Sequence, residues 1–255
     1  MNLQLPTEGL DRYKSNSQRA RVCTEPWGLA NLYCPACASP RIESLPVNTP
    51  AHDFKCPSCL AWFQLKSKCS AFGRRVQDGA LDSMNRSIIA DRTPNLFLLQ
   101  YKFPEMVVEN LVLIPHFVFS TSILEKRKPL SPTAQRAGWV GCNFLLDRIP
   151  RDGQLHVIQN GKVAPAAEVR EAYARLRPLE NLTIEKRGWT LDVLNVVRSL
   201  NKKEFSLADV YAHANELAKL HPQNAHIPDK IRQQLQVLRD LNLVEFLSPG
   251  SYRVR

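Results

Sequence analysis

No apolar run in this chain approaches the roughly 20 residues that span a bilayer, so no transmembrane helix is expected. The opening residues, MNLQLPTEGL, lack the basic start and apolar core of a signal peptide. Acidic residues are in the minority: 24 Asp and Glu stand against 34 Lys and Arg, a formal charge of +10. That balance favours a polyanionic partner, since lysine and arginine near phosphates gain from counterion release, although basic charge alone does not establish nucleic-acid binding. A disulfide framework is not expected either. Four of the seven cysteines fall into two CxxC pairs, and Cys23, Cys69 and Cys142 are an odd, scattered remainder. A reducing, cytoplasmic setting with metal-held thiolates fits best. At 255 residues there is room for one large domain or two modest ones.

The two pairs are Cys34/Cys37 and Cys56/Cys59, with eighteen residues between them. Each CxxC wraps two thiolates around one ion, and two such knuckles close a tetrahedral S₄ site. That geometry suits structural Zn²⁺ and leaves no open position for chemistry. Asp53 stands just before the second knuckle, and Gln64-Leu65-Lys66 follows it. An acid, an amide and an amine can therefore converge beside a metal-stapled scaffold.

Residues 11–33 read as largely helical with a break at Pro26, and a connection through Pro40, Pro46 and Pro50 interrupts the knuckle region. Trp62 to Lys66 alternates as a strand, with Phe63 and Leu65 toward a core and Gln64 and Lys66 on the other face. Residues 78–91 read as a helix. The runs 96–99 and 111–114 fit central strands of a mixed sheet, and 155–158 gives one more strand before an Asn160-Gly161 turn. The basic, proline-containing stretch 125–138 reads as a long loop, and 165–176 as a helix leading out of the first domain.

The last seventy residues change character. Trp189, Val193, Val196, Val197 and Leu200 mark one amphipathic helix. Ser206 with Asp209 resembles a capping box opening a second, which carries Leu207, Val210, Tyr211, Ala214 and Leu217. A third begins near Pro228 and buries Ile231, Leu235 and Leu238. Strand, turn and strand follow over 243–254, the order of a winged-helix module.

The segments YKSNSQRAR (13–21), DFKCPSC (53–59), FQLKSK (63–68), RKPLSPTAQRAGWVGCN (127–143) and IRQQLQVLRD (231–240) together resemble the DpnI-type family of methyl-directed restriction endonucleases. The similarity runs over nearly the whole chain. It implies an α/β fold: a PD-(D/E)xK restriction-endonuclease-like domain with an inserted four-cysteine zinc site over 1–182, then an α+β winged-helix domain over 183–255. It also implies Mg²⁺-dependent cleavage of duplex DNA carrying N6-methyladenine within GATC, with both domains engaging the methylated site.

In such a site Asp53 supplies the main carboxylate to Mg²⁺, a hard cation that prefers oxygen. Lys66 sits beside the attacking water and stabilises developing charge. Gln64 departs from the family pattern, which has a carboxylate there; an amide oxygen still ligates Mg²⁺ but brings no charge. Glu25 is a candidate second carboxylate. By resemblance Trp139 contacts bases or N6-methyl groups, with Arg136 and Lys128 on phosphates. On the third C-terminal helix Lys230, Gln233, Gln234 and Gln236 are expected off the buried face, where glutamine can pair with adenine N6 and N7. A monomer is expected in solution. The rival reading is a non-catalytic methyl-DNA reader in which Gln64 marks a lost site. A plain winged-helix regulator with a zinc ribbon fits less well, because of the Asp53, Gln64, Lys66 spacing.

Overall fold

A computed structural model describes residues 1–46, 49 and 52–255; Pro50, one of the prolines of the expected connection, lies outside the described residues. In chain order the elements begin with α1 (Asn16–Asn31), β1 (Glu43–Ser44), β2 (Phe54–Lys55), β3 (Trp62–Lys68), β4 (Arg75–Ala80), α2 (Leu81–Ile89), β5 (Asn95–Lys102) and β6 (Val107–Ile114). They continue through β7 (Leu124–Lys126), β8 (Gly141–Leu145), β9 (Leu155–Gln159), β10 (Lys162–Val163), α3 (Ala166–Leu176) and α4 (Ile184–Ser199). The chain ends with β11 (Glu204–Ser206), α5 (Leu207–Tyr211), α6 (Ala214–Leu220), α7 (Ile227–Asp240), β12 (Val244–Ser248) and β13 (Ser251–Val254).

Two compact units result, the first built from 1–73, 93–116 and 152–175, the second from 74–92, 117–151 and 176–255.

The first unit holds a seven-stranded mixed sheet in the order β1-β2-β3-β5-β6-β9-β10. Strand β3 is the pivot: antiparallel to β2 on one side and parallel to β5 on the other. The parallel pairing requires a crossover, and its neighbour β5 is buried almost end to end, as expected of a central strand. Helix α1 runs through Pro26 without the expected break. Its buried positions Ala20, Cys23, Thr24, Trp27 and Gly28 recur at helical spacing on both sides of the proline. That tertiary burial outweighs the ~3 kcal/mol an interior proline costs a helix. Gly28 is the point of closest approach. A Cβ there would lie 3.1 Å from the Phe54 ring and 3.5 Å from Leu65, so a larger residue would lift the helix off the β2–β3 hairpin.

In the second unit β4-β8-β7 form a small antiparallel sheet on which α2 packs. Residues 78–80, expected to be helical, end β4 instead. The same unit contains the C-terminal helices. Arg187 on α4 is 1 % exposed and pairs with Asp91. Asp192 accepts a hydrogen bond from Ser122 Oγ at 2.9 Å and bonds His221 Nε2 at 2.7 Å.

The winged helix is complete: α4, then β11, α5 and α6, α7, and the β12–β13 hairpin, with β11 joining as a third strand in the order β11-β13-β12. The expected capping box at Ser206 and Asp209 is present with both reciprocal hydrogen bonds. The single second helix of the sequence reading is two short ones, interrupted at Ala212-His213, yet Val210 and Leu217 are both fully buried. Among the described residues no helix is long and apolar enough to cross a membrane.

Candidate active site, metal centre and nucleic-acid interface

The β2–β3 hairpin carries two of the four clustered cysteines and the three residues of the nuclease reading. Cys56 and Cys59 lie in its turn, Asp53 at the foot of β2, and Gln64 and Lys66 on β3. Cys34 and Cys37 come from the loop after α1. The four Sγ atoms lie within 4.8 Å of one another, with Cys34–Cys59 and Cys37–Cys56 both at 3.5 Å. A tetrahedron of sulfurs at the usual Zn–S length has edges of about 3.8 Å, so the cluster can bind zinc.

Backbone amides already point at the sulfurs, from Ser39 to Cys37 at 3.4 Å and from Ser58 and Cys59 to Cys56 at 3.4 and 3.5 Å. Burial opposes the Cys56 thiolate, but the amides of Cys59 and Ser58, with Cys37 and Cys59 beside it, pull its pKa down to about 6. Burial, reinforced by Cys59, pushes the Cys34 thiol well up. A divalent cation reverses that penalty by neutralising the clustered thiolates. From α3, Arg170 clamps the first knuckle through Cys34 O at 3.1 Å and Ser39 O at 2.9 Å.

The second feature of the hairpin is the position of Asp53. Its N–H donates to Phe63 O at 2.9 Å, its C=O accepts from Leu45 N–H at 2.9 Å, and its Oδ2 accepts from Leu65 N–H at 2.8 Å. The carboxylate is thus held across the backbone that joins Gln64 to Lys66. Strand alternation puts Gln64 and Lys66 on one face of β3, both half-buried, and Leu65 and Ser67 on the other. Helix α1 covers that second face through Thr24, hydrogen-bonded to Ser67 at 2.9 Å, and Gly28 against Leu65. Glu25 belongs to α1 and pairs with Arg21 at 2.6 Å. The helix that carries this candidate second carboxylate packs on the Leu65 and Ser67 face of β3.

In the second unit the basic loop extends the β7–β8 hairpin, with Arg127 N–H on Gly141 O at 3.0 Å and Leu130 N–H on Trp139 O at 2.9 Å. Trp139 is half-buried and folds back over Gly141, where any Cβ would meet its ring at 2.8 Å. The Arg136 guanidinium lies 5.0 Å from the ring centroid, and Lys128 is exposed.

On α7, Gln233 and Gln236 are exposed as expected. Gln234 is not. It is fully buried, and its Oε1 accepts the Thr190 hydroxyl of α4 at 2.7 Å, so it is a packing residue of the helix pair and cannot read a base. The physical reason lies in the spacing: Ile231, Gln234, Leu235 and Leu238 all fall on one stripe. Lys230 is half-buried with Nζ 5.9 Å from the Trp189 ring. Sequence reasoning passed over Arg232, which is 57 % exposed and pairs with Asp229 at 3.0 Å. Its place one turn before Gln236 was the available signal.

A restriction-endonuclease-like α/β fold with a cysteine-stapled hairpin, joined in one chain to a winged helix, defines a DNA-acting protein of the nuclease class. Two family models resolve it further: that of the Dam-replacing family, DpnI, matches residues 1–182, and that of the Dam-replacing HTH domain, DpnI_C, matches residues 185–254. The chain belongs to the DpnI family, and membership implies a methylation-dependent DNA endonuclease with a DNA-binding C-terminal domain.

Proposed function

We propose that this protein cleaves duplex DNA at GATC sites carrying N6-methyladenine, by Mg²⁺-dependent phosphodiester hydrolysis in a nuclease domain over 1–182, with base recognition shared with a winged-helix domain over 183–255. The observation that supports this most is the carriage of Asp53 at the foot of β2 and of Gln64-x-Lys66 on β3 of the same hairpin, with Asp53 Oδ2 tied to Leu65 N–H at 2.8 Å. An acid fixed at that spot and an amine two residues beyond an amide are the donor set that phosphate hydrolysis needs.

Asp53 and Gln64 would hold Mg²⁺ through oxygen, the ligand type that this cation prefers. Bound there, the ion would supply charge neutralisation at the phosphate and a more acidic water. Asp53 Oδ2 is already engaged by a backbone amide at 2.8 Å, which fixes the carboxylate that would hold the ion. Lys66 shares a face with Gln64, where an ammonium stabilises charge that develops on the phosphate and orients the attacking water. Leu65 is the spacer whose side chain must leave that face. Arg136, Trp139 and Lys128 on the hairpin loop, and Lys230, Gln233 and Gln236 on α7, are the proposed DNA contacts. The protein acts in the cytoplasm as a monomer, so a double-strand break takes two chains or two successive visits.

One observation favours a second reading. The uncharged amide of Gln64 weakens metal affinity, and a methyl-adenine reader with a disabled site would share this architecture. Digestion of one plasmid, prepared with and without GATC adenine methylation across a Mg²⁺ titration, separates the two. Cleavage of the methylated form alone is the expected result. Tight binding to that form without cleavage at any Mg²⁺ concentration would make the protein a reader.

A further inference from the structure

Trp62 is 50 % exposed, although tryptophan is among the side chains that gain most from burial. It occupies the first position of β3, on the same face as Gln64 and Lys66, about 7 Å along the strand from Gln64. Its ring is not loose. His52, the residue before Asp53, meets it with ring centroids 4.2 Å apart and planes at 83°. Its backbone is fixed from both sides. Trp62 pairs with Lys55 of β2, and its C=O accepts from Asn95 Nδ2 at 3.1 Å. Asn95 is itself 1 % exposed and held at its other end, where Oδ1 accepts from Tyr173 Oη at 3.0 Å and from His116 N–H at 3.1 Å. An exposed aromatic on a rigid strand, braced by a second ring and set beside the proposed metal ligands, is pre-organised for a contact beyond those it makes among the described residues.

We propose that Trp62, held by His52, is a positioning residue for the scissile DNA strand: its open indole surface packs against the sugar and base of the nucleotide next to the cleaved phosphate. The inference rests on the assignment of Asp53, Gln64 and Lys66 as the hydrolytic site. Any strand whose phosphate reaches Asp53 and Gln64 carries the adjoining nucleotide across this face, where Trp62 is one alternation step away. A π-face accepts every base, so the contact contributes affinity and register without reading sequence. His52 acts through Trp62, restricting the indole to one orientation.

The test uses the full-length protein and a methylated GATC duplex oligonucleotide, with Ca²⁺ replacing Mg²⁺ for binding. Trp62→Ala should weaken binding and lower kcat/KM by about tenfold, the loss expected for one base–aromatic stack. Trp62→Phe should restore most of it, and His52→Ala should fall between. Bound zinc should stay at the wild-type level in all three. Iodide quenching gives a readout that needs no substitution at Trp62. Trp27 and Trp189 are buried, so in a Trp139→Phe background the accessible indole is Trp62, and saturating duplex should shield it.

Binding and cleavage by Trp62→Ala indistinguishable from wild type would overturn the proposal. An indole that stays open to iodide on saturating DNA would overturn it equally, including where Trp62→Ala fails to fold. Asp53→Ala reports on the hydrolytic assignment separately. If that variant still cleaves, the assignment fails while binding and quenching still decide Trp62.

Discussion

Asp53 reaches across the β2–β3 hairpin to Leu65, its Oδ2 accepting the Leu65 N–H at 2.8 Å while its own N–H donates to Phe63 O at 2.9 Å. The carboxylate is therefore positioned by the backbone of the strand that bears Gln64 and Lys66. Pre-organisation of this kind would place the proposed ligand without help from a metal. Asp53→Ala should leave methylated-DNA binding intact and cut cleavage by about 10³-fold, since a metal-stabilised phosphoryl transition state is worth several kcal/mol. Single-turnover cleavage beside a gel-shift titration measures both.

Gln64 is the natural point of adjustment. Gln64→Glu restores a charge among the ligands, and the Mg²⁺ concentration for half-maximal cleavage should drop by about tenfold. An unchanged midpoint in the Mg²⁺ titration would remove Gln64 from the metal site.

The zinc knuckles close the hairpin turn that separates Asp53 from Gln64. Chelation or Cys56→Ser should therefore release one zinc per chain and abolish cleavage together, because the two strands lose their shared staple. A colorimetric zinc assay run in parallel with activity decides it: cleavage that survives complete zinc loss contradicts the coupling.

The two kinds of glutamine on α7 separate cleanly. Gln234→Ala removes the hydrogen bond to Thr190, whose hydroxyl keeps Lys186 O, and leaves a void in the α4–α7 contact; it should cost about 1–3 kcal/mol in denaturant unfolding. Gln236→Ala, at an exposed position, should leave unfolding unchanged and weaken binding to methylated duplex.

Glu125 provides a pH signature in the small sheet. Hydrogen bonds from Arg75, then Asn143, hold its pKa down to about 2 from the usual 4.5. A depressed folded-state pKa contributes stability that is present above the unfolded value and lost as pH falls through the folded one. The melting-temperature gap between wild type and Glu125→Gln should thus be constant above about pH 4.5 and close between there and pH 2. A gap that persists at pH 2 would contradict this.

The elements most legible in the sequence were those whose signal is local. CxxC spacing announced the four-cysteine cluster because two thiols on one turn need only their own backbone to converge. Ser206 and Asp209 announced their cap, and Ile231, Leu235 and Leu238 announced the buried stripe of α7, each through interactions within a few residues. Alternation over 62–66 and the apolar runs 96–99 and 111–114 announced β3, β5 and β6, each of which extends beyond the stretch that signalled it. Strand β11 was too short and β8 too close to the basic loop to stand out.

The sequence by itself thus determined which residues are candidates for the chemistry, since acid, amide, amine and thiolates at fixed spacing are properties of one dimension. Only the tertiary structure decided what those residues touch. It drew segments 74–92 and 117–151 into one compact unit with the C-terminal helices and ran α1 through Pro26 on the strength of its buried face. It also packed α1 on the Leu65 and Ser67 face of β3 and sank Gln234 against Thr190, each through a partner tens of residues away, and it left Trp62 open beside Gln64. Burial energy between distant segments outweighs local propensity there, and no window along the chain contains both sides of the contact.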